Sequence, residues 1–222
     1  MAWKHKPDNV PKIALCVPHT GNVSMEWAHR TWGPLVYTDQ VWCEKRAFTN
    51  RGPPIHLSRE FLVDQALNWG ANYIFFIDSD VIIESPPDPN HALRRLLAHN
   101  LPIVSGLYRA KKSGSNFNPW AMWKFKNKQD GFESIDKWNS KLVQVDVVGL
   151  GCCLIKAEVF DKVPKAWFRW DLDFAPSEDF YFLLKARTHE YDTIVDTTIR
   201  ASHVATMKIL PTTDLQYDSL QV

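Results

Sequence analysis

No apolar run in this chain approaches the roughly 18 residues that a membrane-spanning helix requires. The opening residues, Met1-Ala-Trp-Lys-His-Lys-Pro7, have no apolar core of the kind a secretory leader carries, so a cytoplasmic location is expected. Charge of one sign is also missing. The sequence sets 26 Lys and Arg against 25 Asp and Glu, a formal net charge of +1, and no bulk pull toward nucleic acid or anionic lipid follows. None of the four cysteines, Cys16, Cys43, Cys152 and Cys153, forms a C-x-x-C pair, and the adjacent two would point to opposite faces of a strand. That pattern favours reduced, buried thiols over a disulfide frame or a zinc site. Internal repeats, low-complexity tracts and a domain-splitting linker are absent, so one domain is expected over 1–222, with a core of about 12–207 and a loose tail at 208–222.

What the chain has is aromatic surface: 10 Trp, 12 Phe and 6 Tyr in 222 residues, within a hydrophobic share of 45%. Aromatics fill cores, and they also make flat faces for sugars, bases or partner proteins. Ile13–Val17 is a short apolar run that ends in Pro18 and the turn-forming His19-Thr20-Gly21-Asn22, the pattern of a buried first strand opening into a polar loop. Residues 24–50 follow no clear period. Ser58 is placed to cap a helix over about 59–69, with Phe61, Leu62, Ala66, Leu67 and Trp69 on one face and Gly70 as its stop.

Tyr73–Ile77 is an unbroken run of β-formers, expected to be a central strand covered on both sides, and it leads straight into Asp78-Ser79-Asp80. Asp88 and Pro89 open the next helix, with Leu93, Leu96 and Leu97 facing inward, and Pro102–Ser105 gives another strand. Residues 109–141, carrying Trp120, Trp123, Phe125 and Trp138, read as a loop or irregular hairpin. The basic run Arg109–Lys112 reads as a solvated stretch. Leu142–Val148 and Cys152–Ile155 are strand-like on either side of Gly149-Leu150-Gly151. Ser177 caps a helix with Glu178 and Asp179 in its first turn, Thr193–Val195 and Ile199–Val204 are late strands, and the tail after Pro211 is expected to be loose. Alternating strands and helices predict an α/β fold with helices packed around a mixed sheet.

Several of these residue types can carry chemistry, and each has a plainer reading. Asp78 and Asp80, two apart at a strand end, face the same way and suit Mg²⁺ or Mn²⁺ holding phosphate oxygens; they also suit a turn-capping pair. A chain this rich in Asp contains about one D-x-D triplet by chance, and a second one stands at Asp171-Leu172-Asp173. The helix dipole favours an ionised carboxylate at Glu178-Asp179, as a general base needs, yet acids there also serve stability alone. His203 is either a ligand or a satisfied structural histidine. Gly149 and Gly151 allow close backbone approach to a ligand, or form a bulge or turn. Arg59, a cation at an expected helix start, points to an anion such as a diphosphate, or is simply solvated.

In order, these pieces resemble the GT-A glycosyltransferases, particularly the small phage and bacterial enzymes of family 2. The strand ending in Pro18, Ser58-Arg59-Glu60, Ile77-Asp-Ser-Asp80, Val104–Arg109, Asp146–Gly151 with Leu154–Phe160, Ser177–Phe182 and the late Asp196…Ala201-Ser-His203 carry the likeness, which covers about 12–207. The resemblance implies a GT-A, Rossmann-like domain that moves a sugar from a nucleotide-diphosphate sugar (UDP- or GDP-sugar) to an acceptor hydroxyl, with inversion. It implies Mn²⁺ or Mg²⁺ held by Asp80 and His203 with Asp78, a base at Asp179 with Glu178 as second choice, and donor contacts from Pro18, Thr20, Arg59, Ser79, Gly149 and Gly151. The aromatic 117–138 segment would form the acceptor site or a lid; the acceptor is a glycan, a protein, a small molecule or a modified nucleic acid. Two rivals stand beside this reading. One is a haloacid-dehalogenase-like phosphatase with Asp78 as nucleophile, Asp80 as acid and Glu178-Asp179 as metal ligands. The other is a non-catalytic module binding carbohydrate or nucleic acid.

Overall fold

A computed structural model describes residues 10–38, 40–52, 54–111, 119–127, 131–171 and 175–204, with the backbone of 208–209 and 217–218. The chain begins with β1 (Lys12–His19), then a continuous helical stretch of α1 (Met25–Trp27), a π-helical turn (Ala28–Trp32) and α2 (Gly33–Tyr37), then β2 (Glu44–Arg51) and α3 (Ile55–Asn68). Next come β3 (Tyr73–Ile77), β4 (Val81–Ser85), α4 (Pro89–Ala98), β5 (Ile103–Leu107), β6 (Met122–Asn127) and β7 (Gly131–Ser134). The remainder is β8 (Leu142–Val145), β9 (Val147–Val148), β10 (Cys152–Lys156), α5 (Ala157–Lys162), α6 (Glu178–Thr188), β11 (Thr193–His203), β12 (Lys208–Ile209) and β13 (Tyr217–Asp218).

The central sheet runs β13-β12-β11-β5-β10-β3-β1-β2, with β4 and β8 also paired to β11. β1 is parallel to β2 and β3, and β10 is antiparallel to β3 and β5, so the sheet is mixed. A smaller sheet joins β7, β6 and β9. The expected α/β class, a mixed central sheet flanked by helices, is what the structure shows.

Alternation along the strands builds two cores. Ala14, Cys16, Ile74, Phe76, Cys153 and Ile155 pack on one face with Leu62, Val63 and Ala66 of α3 and with Phe182 and Leu183 of α6. Ile13, Leu15, Phe75, Ile77, Cys152 and Leu154 pack on the other with Leu93 and Leu96 of α4, Trp27 and Leu35. Adjacent Cys152 and Cys153 thus enter opposite cores, the period-two consequence of a strand. All four cysteines are buried free thiols.

Several boundaries differ from expectation. α3 starts after Pro54, so Ser58 lies inside the helix, and its hydroxyl is turned to the Asn50 carbonyl at 3.4 Å instead of capping. Arg59 is therefore beyond the first turn, where the dipole does not disfavour a cation. Phe61, expected on the buried face, is 48% exposed; the buried face is Leu62, Val63 and Ala66. The stretch 109–141 does contain a hairpin, β6–β7. Its Trp120 is buried and meets Trp138 edge-on at 5.6 Å, so these two rings pack. The expectations for Lys112, Phe117, Asp173 and most of the tail lie outside the described residues; within the tail, β12 pairs with β13. Among the described residues no helix is long and apolar enough to cross a membrane.

Candidate functional site

β1, β2 and β3 run parallel and end along one edge of the sheet, the place where an α/β fold exposes polar groups on rigid backbone. An open cleft of about 200 Å³ lies there, lined by Pro18, His19, Thr20, Gly52, Ile55, Asp78, Ser79 and Asp80. Five residues expected from the sequence therefore share one cleft; His19, Gly52 and Ile55 carried no signal beyond being turn or helix-start residues.

Asp78-Ser79-Asp80 is a tight turn between β3 and β4, closed by the Val81 N–H donating to the Asp78 carbonyl at 3.0 Å. The Asp78 N–H donates to the Gly151 carbonyl at 3.1 Å, fastening this turn to the one before β10. β4 pairs antiparallel with the end of β11, placing His203 opposite Val81, and the Val204 N–H donates to the Asp80 carbonyl. The sheet thereby brings His203 to the second aspartate of the triplet.

His203 Nε2 stands 3.3 Å from Asp80 Oδ1, and His203 Nδ1 is 3.1 Å from the Arg109 carbonyl. A carbonyl only accepts, so Nδ1 carries the hydrogen, and a neutral ring then presents its Nε2 lone pair to a carboxylate oxygen. Two acceptors that close require a positive centre between them, a proton or a metal cation. Asp80's other oxygen takes the Lys111 ammonium at 2.5 Å. Burial by itself would raise the Asp80 pKa, but the His203 contact and Lys111 outweigh it and hold the group at about 2. The residues thus fit a cation at the Asp80–His203 pair. Among the described residues no group of three or more His, Cys, Asp or Glu side chains converges as a ready-made metal cage.

Arg59, 3% exposed, donates from Nη2 to Asp78 Oδ1 at 3.0 Å and from Nε to Glu178 Oε1 at 3.1 Å, with its plane over the Phe76 ring. Its Nη1 is sealed from solvent and has no partner among the described residues. The guanidinium is therefore turned to the protein's own carboxylates, where the sequence reading had it facing a diphosphate. Burial still raises Asp78's pKa in spite of Arg59.

Glu178 and Asp179 do open α6 behind Ser177, as expected, but Ser177 at the N-cap position makes no side-chain capping hydrogen bond. Ser177's hydroxyl donates to Asp179 Oδ1, which also accepts the Phe180 N–H at 2.9 Å. The helix dipole was expected to favour ionised carboxylates here. Instead burial, followed by repulsion from Glu178, pushes Asp179 up to about 6. Desolvation outweighs the dipole at this helix start.

Of the run read from sequence as solvated, Arg109 is buried with its guanidinium 3.7 Å from the Trp120 ring centre, whereas Lys111 is exposed and pairs with Asp80. Asp196, part of the late-strand likeness, lies apart from the cleft residues in a cluster with His99, Arg95 and Thr198. At Gly149 and Gly151 the space that a Cβ would occupy is taken by Tyr108 and, at Gly151, also by Asp78. Tyr108 carried no sequence signal beyond being one more aromatic.

No protein-family profile matches the chain. A Rattus norvegicus protein named probable inactive glycosyltransferase 25 family member 3 is 30% identical over 114 residues, 46% of this chain and 19% of that protein. A Homo sapiens protein named inactive glycosyltransferase 25 family member 3 is 31% identical over 114 residues, 46% of this chain and 18% of that protein. The matched part of the chain spans less than a fifth of the length of these curated relatives. Among solved structures, A197 from STIV superposes with a TM-score of 0.63 over 90% of each chain at 20% identity, and the fold is shared. UDP-glucose pyrophosphorylase complexed with UDP-glucose gives a TM-score of 0.47 at 6% identity over 87% of this chain and 92% of that one, a likeness too remote to argue from.

Proposed function

We propose that this chain is a GT-A-type glycosyltransferase that moves a sugar from a UDP- or GDP-sugar to an acceptor hydroxyl, with inversion and with the help of Mn²⁺ or Mg²⁺. The observation that carries the reading is the Asp80–His203 pair at the rim of the strand-end cleft, whose facing atoms suit a shared divalent cation as they suit a shared proton. One or two protein ligands completed by substrate phosphates is the ordinary way such hard cations are held. The partial sequence likeness to proteins named as glycosyltransferases points the same way.

When bound, the cation would offset the negative charge that develops on the departing diphosphate. Asp80 and His203 hold that charge at one place, with His203 oriented through Nδ1. Pro18, Thr20 and Ser79 line the cleft for the nucleotide half of the donor. Arg59 holds one oxygen each of Asp78 and Glu178, and Asp179, bound to the Ser177 hydroxyl and the Phe180 N–H, is the carboxylate placed to take a proton in this reading. Asp179 would accept the proton of the acceptor hydroxyl as its oxygen attacks the anomeric carbon from the face opposite the diphosphate; the bond to the leaving oxygen breaks with its electron pair. Glu178, bound to Arg59, is the weaker candidate for that role. The acceptor side would be bordered by the β6–β7 hairpin, where Trp123 and Phe132 both pack on Phe180 of α6.

The phosphatase rival would use Asp78 Oδ2, the oxygen that Arg59 does not hold, and release of free phosphate from a phosphoester would favour it. A non-catalytic binding module keeps a specific point in its favour, because both curated relatives are named inactive. One experiment separates the readings: nucleotide release from a panel of nucleotide sugars with Mn²⁺, with and without acceptors. Release from at least one donor is expected, abolished by EDTA and by Asp80→Ala. Donor binding without release from any member would favour the module, and turnover untouched by both treatments would sink the cation-assisted mechanism.

A further inference from the structure

Tyr108, just past the end of β5 and 4% exposed, stands at the junction of the elements that carry the candidate ligands, and the reading above gives it no role. Its Oη accepts the Gly151 N–H at 2.9 Å, while the Gly151 carbonyl accepts the Asp78 N–H. Gly151 is thus a single-residue link between the phenol and the D-x-D turn. Its ring meets the His203 imidazole edge-on, with centroids 5.7 Å apart and planes at 87°. The carbonyl that orients His203 Nδ1 belongs to the next residue, Arg109.

The glycines report the same fit from the other side. A Cβ at Gly149 would lie 2.2 Å from Tyr108 Oη and 3.0 Å from its Cζ. One at Gly151 would lie 2.9 Å from Oη and 3.0 Å from Asp78 Oδ2, so the phenol and the carboxylate converge on one point. Real Cβ atoms essentially never come closer than 3.0 Å to such an atom, and the Gly-Leu-Gly pattern is therefore what lets the tyrosine in.

We infer that Tyr108 is the positioning residue of the cation end of this site, fixing the D-x-D turn through Gly151 and the His203 imidazole through its ring edge. It acts through other groups and touches no reacting atom. The inference rests on the reading that Asp80 and His203 hold a divalent cation.

The test is Mn²⁺ binding followed by electron paramagnetic resonance on the whole chain, alone and with UDP or GDP (each read against nucleotide without protein), at a temperature where each variant is folded by circular dichroism. Tyr108→Phe keeps the ring and removes the hydroxyl, and about a 10-fold loss of Mn²⁺ affinity is expected, the scale of groups that orient metal ligands. Gly149→Ala should match or exceed that loss by forcing the phenol aside. In the Tyr108→Phe background the same alanine should cost much less, since the oxygen it meets is gone, a non-additivity that general loosening would not produce. Wild-type Mn²⁺ affinity in Tyr108→Phe, with Asp80→Asn abolishing binding, would overturn this inference alone. A wild-type chain that binds no Mn²⁺ either alone or with UDP or GDP would overturn it together with the glycosyl-transfer reading.

Discussion

At Asp179 the two demands on a carboxylate, stability and reactivity, pull in opposite directions. Its pKa of about 6 in the folded chain, against an ordinary 3.8, arises first from burial and then from Glu178. The folded state therefore binds this proton more tightly than the unfolded state, and stability falls as pH rises from about 4 through 6. Above pH 6 the ionised group costs the fold on the order of 1–3 kcal/mol. Asp179→Asn keeps an oxygen for the Ser177 hydroxyl and the Phe180 N–H and removes the charge. It should be more stable than wild type by that amount at pH 7 and equal to it near pH 3.5, as urea unfolding at the two pH values would show. Nucleotide release should meanwhile fall about 10²–10⁴-fold. In the wild type, turnover should drop tenfold per unit below about pH 6, and a flat profile would remove Asp179 as the base. The acid pair and its place at a helix start were legible in the sequence, because a Ser-Glu-Asp run before an apolar face has few other uses. The direction of the shift was not: it comes from burial in the folded chain and from Glu178, and no local pattern encodes that cover.

Among the elements, β11 does the most to assemble the cleft, and the sequence showed it only in halves. Thr193–Val195 and Ile199–Val204 read as two strands because Asp196-Thr197-Thr198 breaks the apolar run; in the structure they are one strand with a register shift after Asp196. The first half pairs with β5 and β8, the second with β4, and only the second carries His203 to Asp80. The joint is held by Asp196, 2% exposed, whose Oδ1 accepts the Thr198 N–H at 2.9 Å and whose Oδ2 meets His99 Nε2 at 2.9 Å and Arg95 at 3.4 Å. Burial opposes ionisation of Asp196, but Thr198, His99 and Arg95 outweigh it and depress its pKa, so its contribution is present above about pH 4 and is lost as pH falls further. Asp196→Ala should cost about 2–3 kcal/mol at pH 7 by urea unfolding, with a smaller difference from wild type at pH 3. An unchanged midpoint at pH 7 would show that the bend holds without it. Two other elements were hidden for plain physical reasons. Glu44–Arg51 is polar because, among the described residues, β2 pairs only with β1 and half of it faces water. Val81–Ser85 is a short strand that follows a two-aspartate turn, and its pairing partner lies far along the chain.

For the molecule as a whole, the continuous apolar runs Ile13–Val17, Tyr73–Ile77 and Cys152–Ile155 made buried central strands legible, and in the structure each residue's core follows from its parity along the strand. The cleft was half legible. Pro18, Thr20 and the D-x-D turn belong to strand ends that any parallel α/β order would align, whereas the Asp80–His203 contact depends on β4 folding back onto β11. That division suggests where the cation reading and the binding-module reading part company. If the cleft alone binds the nucleotide, UDP or GDP should raise the melting temperature whether or not Mn²⁺ is present. If the Asp80–His203 pair completes the site, the nucleotide and Mn²⁺ should stabilise strongly only together. At about 100 times its dissociation constant a ligand adds about 2.7 kcal/mol, which for a chain of this size is a rise of about 5–10 °C. We expect that rise for one of the two nucleoside diphosphates with Mn²⁺ in a thermal unfolding scan, its loss with EDTA, and its loss in Asp80→Ala with Mn²⁺ restored. An equal rise in the presence of EDTA would mean that the strand-end cleft recognises the nucleotide by itself, and the distant histidine would then have to be explained as part of the sheet and nothing more.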